Sequence, residues 1–248
     1  SRNAHDFDVL AGRLGNEYRV ISVDMVGRGR SSWLEDKSRH AVPVYTEHMR
    51  RFLNGLGLNR VTWIGTSMGG IIGMALSAAQ DSPIHRLVLN DIGAFVGHEA
   101  MAEISGYLKT DPTFSDLDEA ERYLRHVHSG FGQLDDARWR EIARYSTRSV
   151  EHGLKLHFDP ALIVPFNASA ADDIDLWEIY EAIRCPVLLL HGEESRILTA
   201  QTARAMTERG PKATLIDYPA VGHAPSLMVE EQIRDIETWL ERTPIIAR

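Results

Sequence analysis

Apolar positions along the chain follow two alternating spacings. Short runs of consecutive apolar or β-branched residues predict buried strands, and apolar residues three and four positions apart predict amphipathic helices. The predicted strands are Tyr18–Val23, Val61–Gly65, His85–Asn90, Pro186–Leu190 and Thr214–Tyr218. The predicted helices cover residues 7–14, 44–56, 71–79, 199–208 and 228–241. Strands that alternate with helices form a mostly parallel sheet with both faces covered, so we expect an α/β fold.

The pattern changes between residues 97 and 184, where strand signals give way to short amphipathic helices. The clearest of these are Glu99–Leu108, Ser115–His128 and Asp135–Tyr145. Asp172, Asp173 and Asp175 predict the acidic first turn of one more helix, which ends near Ile183. We therefore expect residues 1–96 and 185–248 to form the α/β core, with residues 97–184 as a helical insertion.

A serine between two glycines lies where the second predicted strand ends and a helix begins. We expect a sharp turn that exposes Ser67, with glycines at positions 65 and 69 because a β-carbon at either would collide. The backbone N–H groups that open the following helix, Met68 first, favour a developing negative charge.

Other polar residues also follow predicted strands, among them Asp24, Asp91, the loop at 191–196 and His223. The carboxyl ends of parallel strands meet at one edge of a sheet, so these residues can converge. A serine hydroxyl needs a base to take its proton, and histidine is the best suited. His223 lies between the last strand and the last helix, and a carboxylate is then required to orient it.

Composition narrows the possible partners and compartment. The chain has 248 residues, a formal net charge of −8 and a pI near 5.8, which argues against nucleic acid or an anionic membrane as a partner. The single cysteine, Cys185, excludes an internal disulfide and favours the cytoplasm. We expect a small-molecule substrate, no cofactor and no metal. A homo-oligomer is left open.

Five motifs in this order resemble the α/β-hydrolase superfamily. They are Asp24-x-x-Gly27-x-Gly29-x-Ser31, Gly65-Thr66-Ser67-Met68-Gly69-Gly70, Leu87–Gly93, Pro186–Gly192 and Gly222-His223-Ala224-Pro225. The resemblance implies a mostly parallel sheet of α/β-hydrolase type with residues 97–184 as a helical cap over the active site. It also implies that Ser67 is the nucleophile, His223 the base and the Met68 N–H an oxyanion donor.

The acid of the triad departs from the usual pattern of that family. Most members carry an aspartate three or four residues after Gly192, where this chain has Ser195 and Arg196. Some members take the acid from the end of the strand after the nucleophile helix, which is the place of Asp91. Asp91 is therefore the predicted acid and Glu194 the alternative. Asp91 as a turn-capping residue is the competing structural interpretation.

The resemblance implies a serine hydrolase for small or medium carboxylic esters or lactones, without metal or cofactor. A carbon–carbon bond hydrolase of the meta-cleavage-product type is the alternative, and a non-catalytic ligand-binding member is a third possibility of another class. Four aromatic residues of the insertion are predicted to line the pocket, with ordinary core as the alternative: Phe131, Trp139, Phe158 and Trp177.

The chain enters an amphipathic segment almost at once, at Phe7. We expect the first strands of the fold, and the loop that supplies the second oxyanion donor, to precede Ser1.

Overall fold

The computed structural model describes residues 1–164 and 172–245. Its strands are β1 (Val61–Thr66), β2 (Ile84–Asn90), β3 (Phe95–Val96), β4 (Thr113–Phe114), β5 (Thr147–Val150), β6 (Gly153–Leu156), β7 (Ile174–Asp175), β8 (Val187–Gly192) and β9 (Thr214–Tyr218). Its α-helices are α1 (Asp8–Leu14), α2 (Val42–Gly55), α3 (Met68–Ala78), α4 (His98–Leu108), α5 (Leu117–Val127), α6 (Asp136–Ser146), α7 (Trp177–Glu181), α8 (Ala200–Glu208) and α9 (Glu230–Arg242).

The described residues group into two compact units. The sheet unit comprises the described residues of the ranges 41–101, 171–225 and 239–248. The aromatic unit comprises those of the ranges 1–40, 102–170 and 226–238. The division of the core and insertion at residues 97 and 184 stays a prediction.

The sheet unit contains a four-stranded sheet in the order β1-β2-β8-β9, and all three of its strand pairings are parallel. Thr66 at the end of β1 pairs with Asn90 at the end of β2, and Asn90 pairs with Leu190 of β8. Gly192 pairs with Tyr218 at the ends of β8 and β9. The residues that follow these four strands therefore leave the sheet at one edge, as the sequence predicts.

The two central strands, β2 and β8, contain runs of consecutive apolar residues, and the side chains of these runs are buried. Leu87 in β2 and Leu188 in β8 are both fully buried, and burying one leucine side chain stabilises a fold by about 1.5–3 kcal/mol. Helix α3 packs closely against β1 and β2: a β-carbon at Gly73 would lie 2.5 Å from the Trp63 ring and 2.8 Å from a methyl carbon of Leu87. Small residues in α3 thus let the helix approach the sheet.

The predicted strand Tyr18–Val23 is wrong. The segment has no regular structure, and the sheet pairings of residues 1–164 and 172–245 do not include residues 19–23. Val20 and Ile21 are 38% and 40% exposed. A β-branched run becomes a strand only where a neighbouring strand offers hydrogen bonds, and pattern alone does not supply one.

The predicted absence of strands between residues 97 and 184 is also wrong. In the aromatic unit β5 and β6 form an antiparallel hairpin, and β4 pairs with the other edge of β6. Gly153, at the start of β6, has φ +113°, and a β-carbon there would lie 2.1 Å from the Phe114 carbonyl oxygen. This glycine permits both the left-handed backbone and the close pairing with β4.

The acidic cluster before Trp177 does not begin a long helix. Ile174–Asp175 forms β7, which pairs antiparallel with β3, and helix α7 starts only at Trp177. The Asp173 carboxylate accepts hydrogen bonds from the backbone N–H of His98 at 2.8 Å and from its Nδ1 at 2.9 Å. Asp173 therefore caps the first turn of α4, a helix distant in sequence.

Candidate active site

Ser67 occupies a strained turn between β1 and α3. Its backbone has φ +51° and ψ −120°, a conformation that residues other than glycine rarely adopt and that costs on the order of 1–3 kcal/mol. The Ser67 N–H donates to the Asn90 carbonyl at 3.1 Å, and the Ser67 carbonyl accepts from Gly70 N–H at 2.8 Å. Strain held by such bonds is typical of functional sites, and here it places the serine at the carboxyl edge of the sheet.

The glycines around Ser67 have different roles from those predicted. A β-carbon at Gly65 would lie 2.3 Å from the Gly69 carbonyl oxygen, so the strand and helix backbones do meet there. A β-carbon at Gly69 would have no neighbour within 4 Å, so the predicted collision at Gly69 is wrong. Gly70 is crowded instead, since a β-carbon there would lie 2.3 Å from a methyl carbon of Ile92.

His223 and Asp91 are brought into contact. His223 Nδ1 lies 2.7 Å from Asp91 Oδ2, with the carboxylate fully buried and the imidazole 25% exposed. An ionised carboxylate can only accept hydrogen bonds, so it assigns the hydrogen of neutral His223 to Nδ1. The lone pair of Nε2 is then left to accept a proton.

Asp91 is held by further bonds to the loop that follows β8. Its Oδ1 accepts from the Gly192 N–H at 2.9 Å, and its Oδ2 accepts from the Ser195 hydroxyl at 2.5 Å. Its own N–H donates to the Leu190 carbonyl at 2.8 Å. The backbone of Asp91 has φ +53°, which aspartate tolerates better than most residues. The side chain is thus directed at the β8 loop and His223.

The loops after β8 and β9 are joined by backbone contacts. Glu193 N–H donates to the Tyr218 carbonyl at 3.0 Å, and Glu194 N–H donates to the Val221 carbonyl at 2.9 Å. A β-carbon at Gly192 would lie 2.5 Å from the Gly222 carbonyl oxygen. Glu194, the alternative acid, is exposed, while the buried carboxylate of Asp91 contacts His223.

Asn90 is a residue that the sequence analysis missed. Its side-chain amide is buried and donates to Thr66 Oγ1 at 2.9 Å and to the Pro225 carbonyl at 2.8 Å. Thr66 precedes Ser67 and Pro225 follows His223 by two positions, so one amide connects the segments that carry Ser67 and His223. The signal in the sequence is a polar residue that ends an otherwise buried apolar strand.

Met68 is the first residue of α3 and directly follows Ser67. The N–H groups of a first helical turn carry partial positive charge at the helix N-terminus. Its role as oxyanion donor stays a prediction.

The four predicted pocket aromatics are divided between the two units. Trp139 and Phe158 are 5% and 4% exposed within one hydrophobic cluster of the aromatic unit, and Phe131 packs against that cluster. Trp177 belongs to the sheet unit, where the Arg209 guanidinium lies 3.7 Å from the centre of its ring. The first three are arranged as ordinary core, which was the alternative interpretation.

Two other polar residues at predicted strand ends have structural contacts. The Asp24 carboxylate accepts from the backbone N–H groups of Ala4 and Arg30, each at 2.8 Å, and so holds a turn. His191 is buried, with Nδ1 2.7 Å from Asp217 Oδ1 and Nε2 3.1 Å from the Leu198 carbonyl oxygen.

Neither a cluster of metal ligands nor a membrane-spanning helix is found among the described residues. Residues 1–164 and 172–245 hold no group of three or more histidine, cysteine, aspartate or glutamate side chains that could bind a metal ion. In the same residues, no helix is both long and apolar enough to cross a membrane.

Comparison with known proteins places these features in a family. A model of the alpha/beta hydrolase family matches residues 2–236. The chain is 38% identical over 242 residues to the 3-hydroxybutyrate-oligomer hydrolase of Cupriavidus necator, an alignment that covers 94% of this chain and 83% of that relative. It is 27% identical over 226 residues to the 2-hydroxymuconate semialdehyde hydrolase of Pseudomonas putida, with coverage of 90% and 76%. The crystal structure of an alpha/beta hydrolase from Novosphingobium aromaticivorans matches with a TM-score of 0.88 and 34% identity, covering 97% of this chain and 86% of that one. The chain therefore belongs to the alpha/beta hydrolase family and is a hydrolase.

Proposed function

We propose that the protein cleaves carboxylic esters through an acyl-enzyme on Ser67, and that short oligomers of 3-hydroxybutyrate are its substrates. The observation that carries the proposal is the 2.7 Å contact between His223 and the buried Asp91 at the sheet edge where the Ser67 turn also lies. The substrate class comes from the relative in Cupriavidus necator, which is 38% identical over most of both chains.

In the first half of the reaction, Ser67 Oγ attacks the carbonyl carbon of the ester. Its proton passes to Nε2 of His223, and the buried carboxylate of Asp91 stabilises the imidazolium that forms. The carbonyl oxygen becomes an oxyanion, which the N–H of Met68 stabilises at the start of α3. The ester C–O bond then breaks, and the leaving alcohol takes the proton from His223.

In the second half, water replaces the alcohol. His223 takes a proton from water, the hydroxide attacks the acyl carbon, and the proton is returned to Ser67 Oγ as the bond to the acyl group breaks. With an oligomer of 3-hydroxybutyrate, the products are a shorter oligomer and a free hydroxy acid. Nothing is oxidised or reduced, and each turnover consumes one water molecule.

A second candidate is hydrolysis of a carbon–carbon bond in a ring-cleavage product. Its support is the 27% identity to the 2-hydroxymuconate semialdehyde hydrolase of Pseudomonas putida. The two candidates require the same three side chains but different substrates, so the substrate that is turned over distinguishes them.

The test compares both substrate classes on the purified protein. We expect release of 3-hydroxybutyrate from its dimer and trimer, measured by liquid chromatography, and no loss of absorbance from 2-hydroxymuconate semialdehyde. Ser67→Ala should abolish release. Ser38→Ala, an exposed serine that donates to Asp36 at 2.6 Å, is the matched control and should keep the wild-type rate.

Two outcomes would count against the proposal. Unchanged ester hydrolysis by Ser67→Ala would remove the nucleophile from the mechanism. Turnover of the semialdehyde alone would favour the second candidate.

A further inference from the structure

Ser195 occupies a position where most members of the family carry the acid of the triad, yet its hydroxyl contacts the acid that this chain uses instead. Ser195 Oγ lies 2.5 Å from Asp91 Oδ2. The same oxygen lies 3.2 Å from the backbone N–H groups of both Ile197 and Leu198.

The direction of these hydrogen bonds follows from the atoms involved. A serine hydroxyl has one hydrogen and two lone pairs, and a backbone N–H can only donate. Ile197 and Leu198 therefore occupy the two lone pairs of Ser195 Oγ, which leaves its single hydrogen for Asp91. The two N–H groups that donate to Ser195 Oγ also polarise the hydroxyl, and this strengthens the hydrogen bond that the hydroxyl donates to the Asp91 carboxylate.

We propose that Ser195 is a positioning residue that orients the Asp91 carboxylate for His223; this inference rests on the proposed function. Without Ser195, Asp91 would be held by the Gly192 N–H on one oxygen and by His223 on the other. The serine hydroxyl adds a third hydrogen bond to the Asp91 carboxylate, from a residue that does not move with the imidazole. The plane of the carboxylate is then set by the β8 loop before the base takes a proton.

A neutral donor suits position 195, because the acid of this site is Asp91, which directly follows β2. A carboxylate at position 195 would face the fully buried Asp91 at hydrogen-bond distance, and two like charges so close disfavour the ionised state of each. The hydroxyl instead stabilises the ionised form of Asp91. The departure from the usual family pattern at Ser195 and the relocated acid are therefore two parts of one arrangement.

The experiment is a double-mutant cycle with Ser195→Ala and Asp91→Asn, measured with a fluorogenic butyrate ester. A hydrogen bond to a charged group contributes about 1.5–3 kcal/mol, so Ser195→Ala should lower kcat about tenfold to a hundredfold with little change in KM. In the Asp91→Asn background, the same substitution should change kcat less than about twofold, because a residue that acts through Asp91 has nothing left to orient.

Equal factors in the two backgrounds, or a wild-type kcat for Ser195→Ala, would overturn the inference. Ser195→Thr, which keeps the hydroxyl, should retain most of the activity. If Ser195→Ala does not fold, Ser195→Cys replaces it in the cycle, since a thiol is a weak donor of similar shape. Ser67→Ala is measured beside these variants: full activity there would refute the proposed function, whereas an inactive Ser67→Ala with an additive cycle would refute only the role of Ser195.

Discussion

Replacing Asp91 with asparagine tests the assignment of the acid most sharply. The substitution keeps the shape of the side chain and exchanges one carboxylate oxygen for an NH₂ group. In the native site, Oδ1 accepts from Gly192 N–H at 2.9 Å and Oδ2 accepts from His223 Nδ1 at 2.7 Å. The positions of Oδ1 and Oδ2 therefore both require a hydrogen-bond acceptor, and the amide group of asparagine supplies only one.

Oδ2 also accepts from the Ser195 hydroxyl at 2.5 Å, so the NH₂ group of asparagine meets a donor in either orientation, at a cost of about 1–3 kcal/mol. Where the NH₂ group faces His223 Nδ1, the imidazole must carry its hydrogen on Nε2, which makes it unable to accept the proton of Ser67. Where the amide oxygen faces His223, a neutral group replaces the carboxylate that stabilises the imidazolium. Both orientations therefore lower kcat. A base held in the wrong tautomer loses about 10⁴ in kcat, equivalent to about 5.4 kcal/mol.

The assay is steady-state hydrolysis of p-nitrophenyl butyrate, with the melting temperature recorded for each variant. Glu194→Gln is the matched control, because it makes the same carboxylate-to-amide change on the exposed side chain in the neighbouring loop. We expect Glu194→Gln to remain within about twofold of wild type. A large loss in Glu194→Gln together with normal activity in Asp91→Asn would refute the reasoning and transfer the acid to Glu194.

Three further predictions concern stability and support of the site. Asn90→Ala removes the two hydrogen bonds that the side-chain amide donates to Thr66 and Pro225. It should lower the free energy of unfolding by about 2 kcal/mol and also lower kcat. An unchanged kcat would show that this amide does not position the segments that carry Ser67 and His223. Trp139→Ala should lower the free energy of unfolding, measured by urea denaturation, by about 3–5 kcal/mol, because Trp139 is only 5% exposed in its cluster. A decrease of less than about 1 kcal/mol would contradict that burial. Burial lowers the pKa of His40, although Asp159 opposes the shift, so the folded state disfavours protonation. Stability should therefore fall as pH decreases below about 6.5, and His40→Gln should reduce that slope by up to about 1.4 kcal/mol per pH unit; an unchanged slope would refute this account.

The strands that hold the candidate site could be predicted because their signals are local and agree with one another. β2 and β8 each contain an uninterrupted apolar run, Leu87–Leu89 and Val187–Leu190, and buried parallel strands produce that pattern. The parallel order of the strands then places Ser67, Asp91 and His223 at one edge of the sheet, and this prediction needs no knowledge of individual contacts. The resemblance to the α/β-hydrolases is what favours Asp91 over Glu194, because some members carry the acid at the end of the strand after the nucleophile helix.

What the pattern could not supply depends on partners distant in the sequence. Tyr18–Val23 has the composition of a strand, but the described sheets do not include residues 19–23. Asp173 caps a helix that begins at His98. Gly69 and Gly70 are adjacent small residues, and only the position of Ile92 shows which one is crowded. The contact of Ser195 with the acid has the same origin, since nothing local to residue 195 indicates that it faces Asp91.

The proposed mechanism requires that Ser67 becomes acylated during turnover. Rapid acid quenching of the protein during hydrolysis of p-nitrophenyl butyrate, followed by peptide mass mapping, detects such an adduct directly. We expect a butyryl group on Ser67 that is absent from Ser67→Ala. A butyryl group on a different residue, or continued turnover with no covalent adduct, would contradict it.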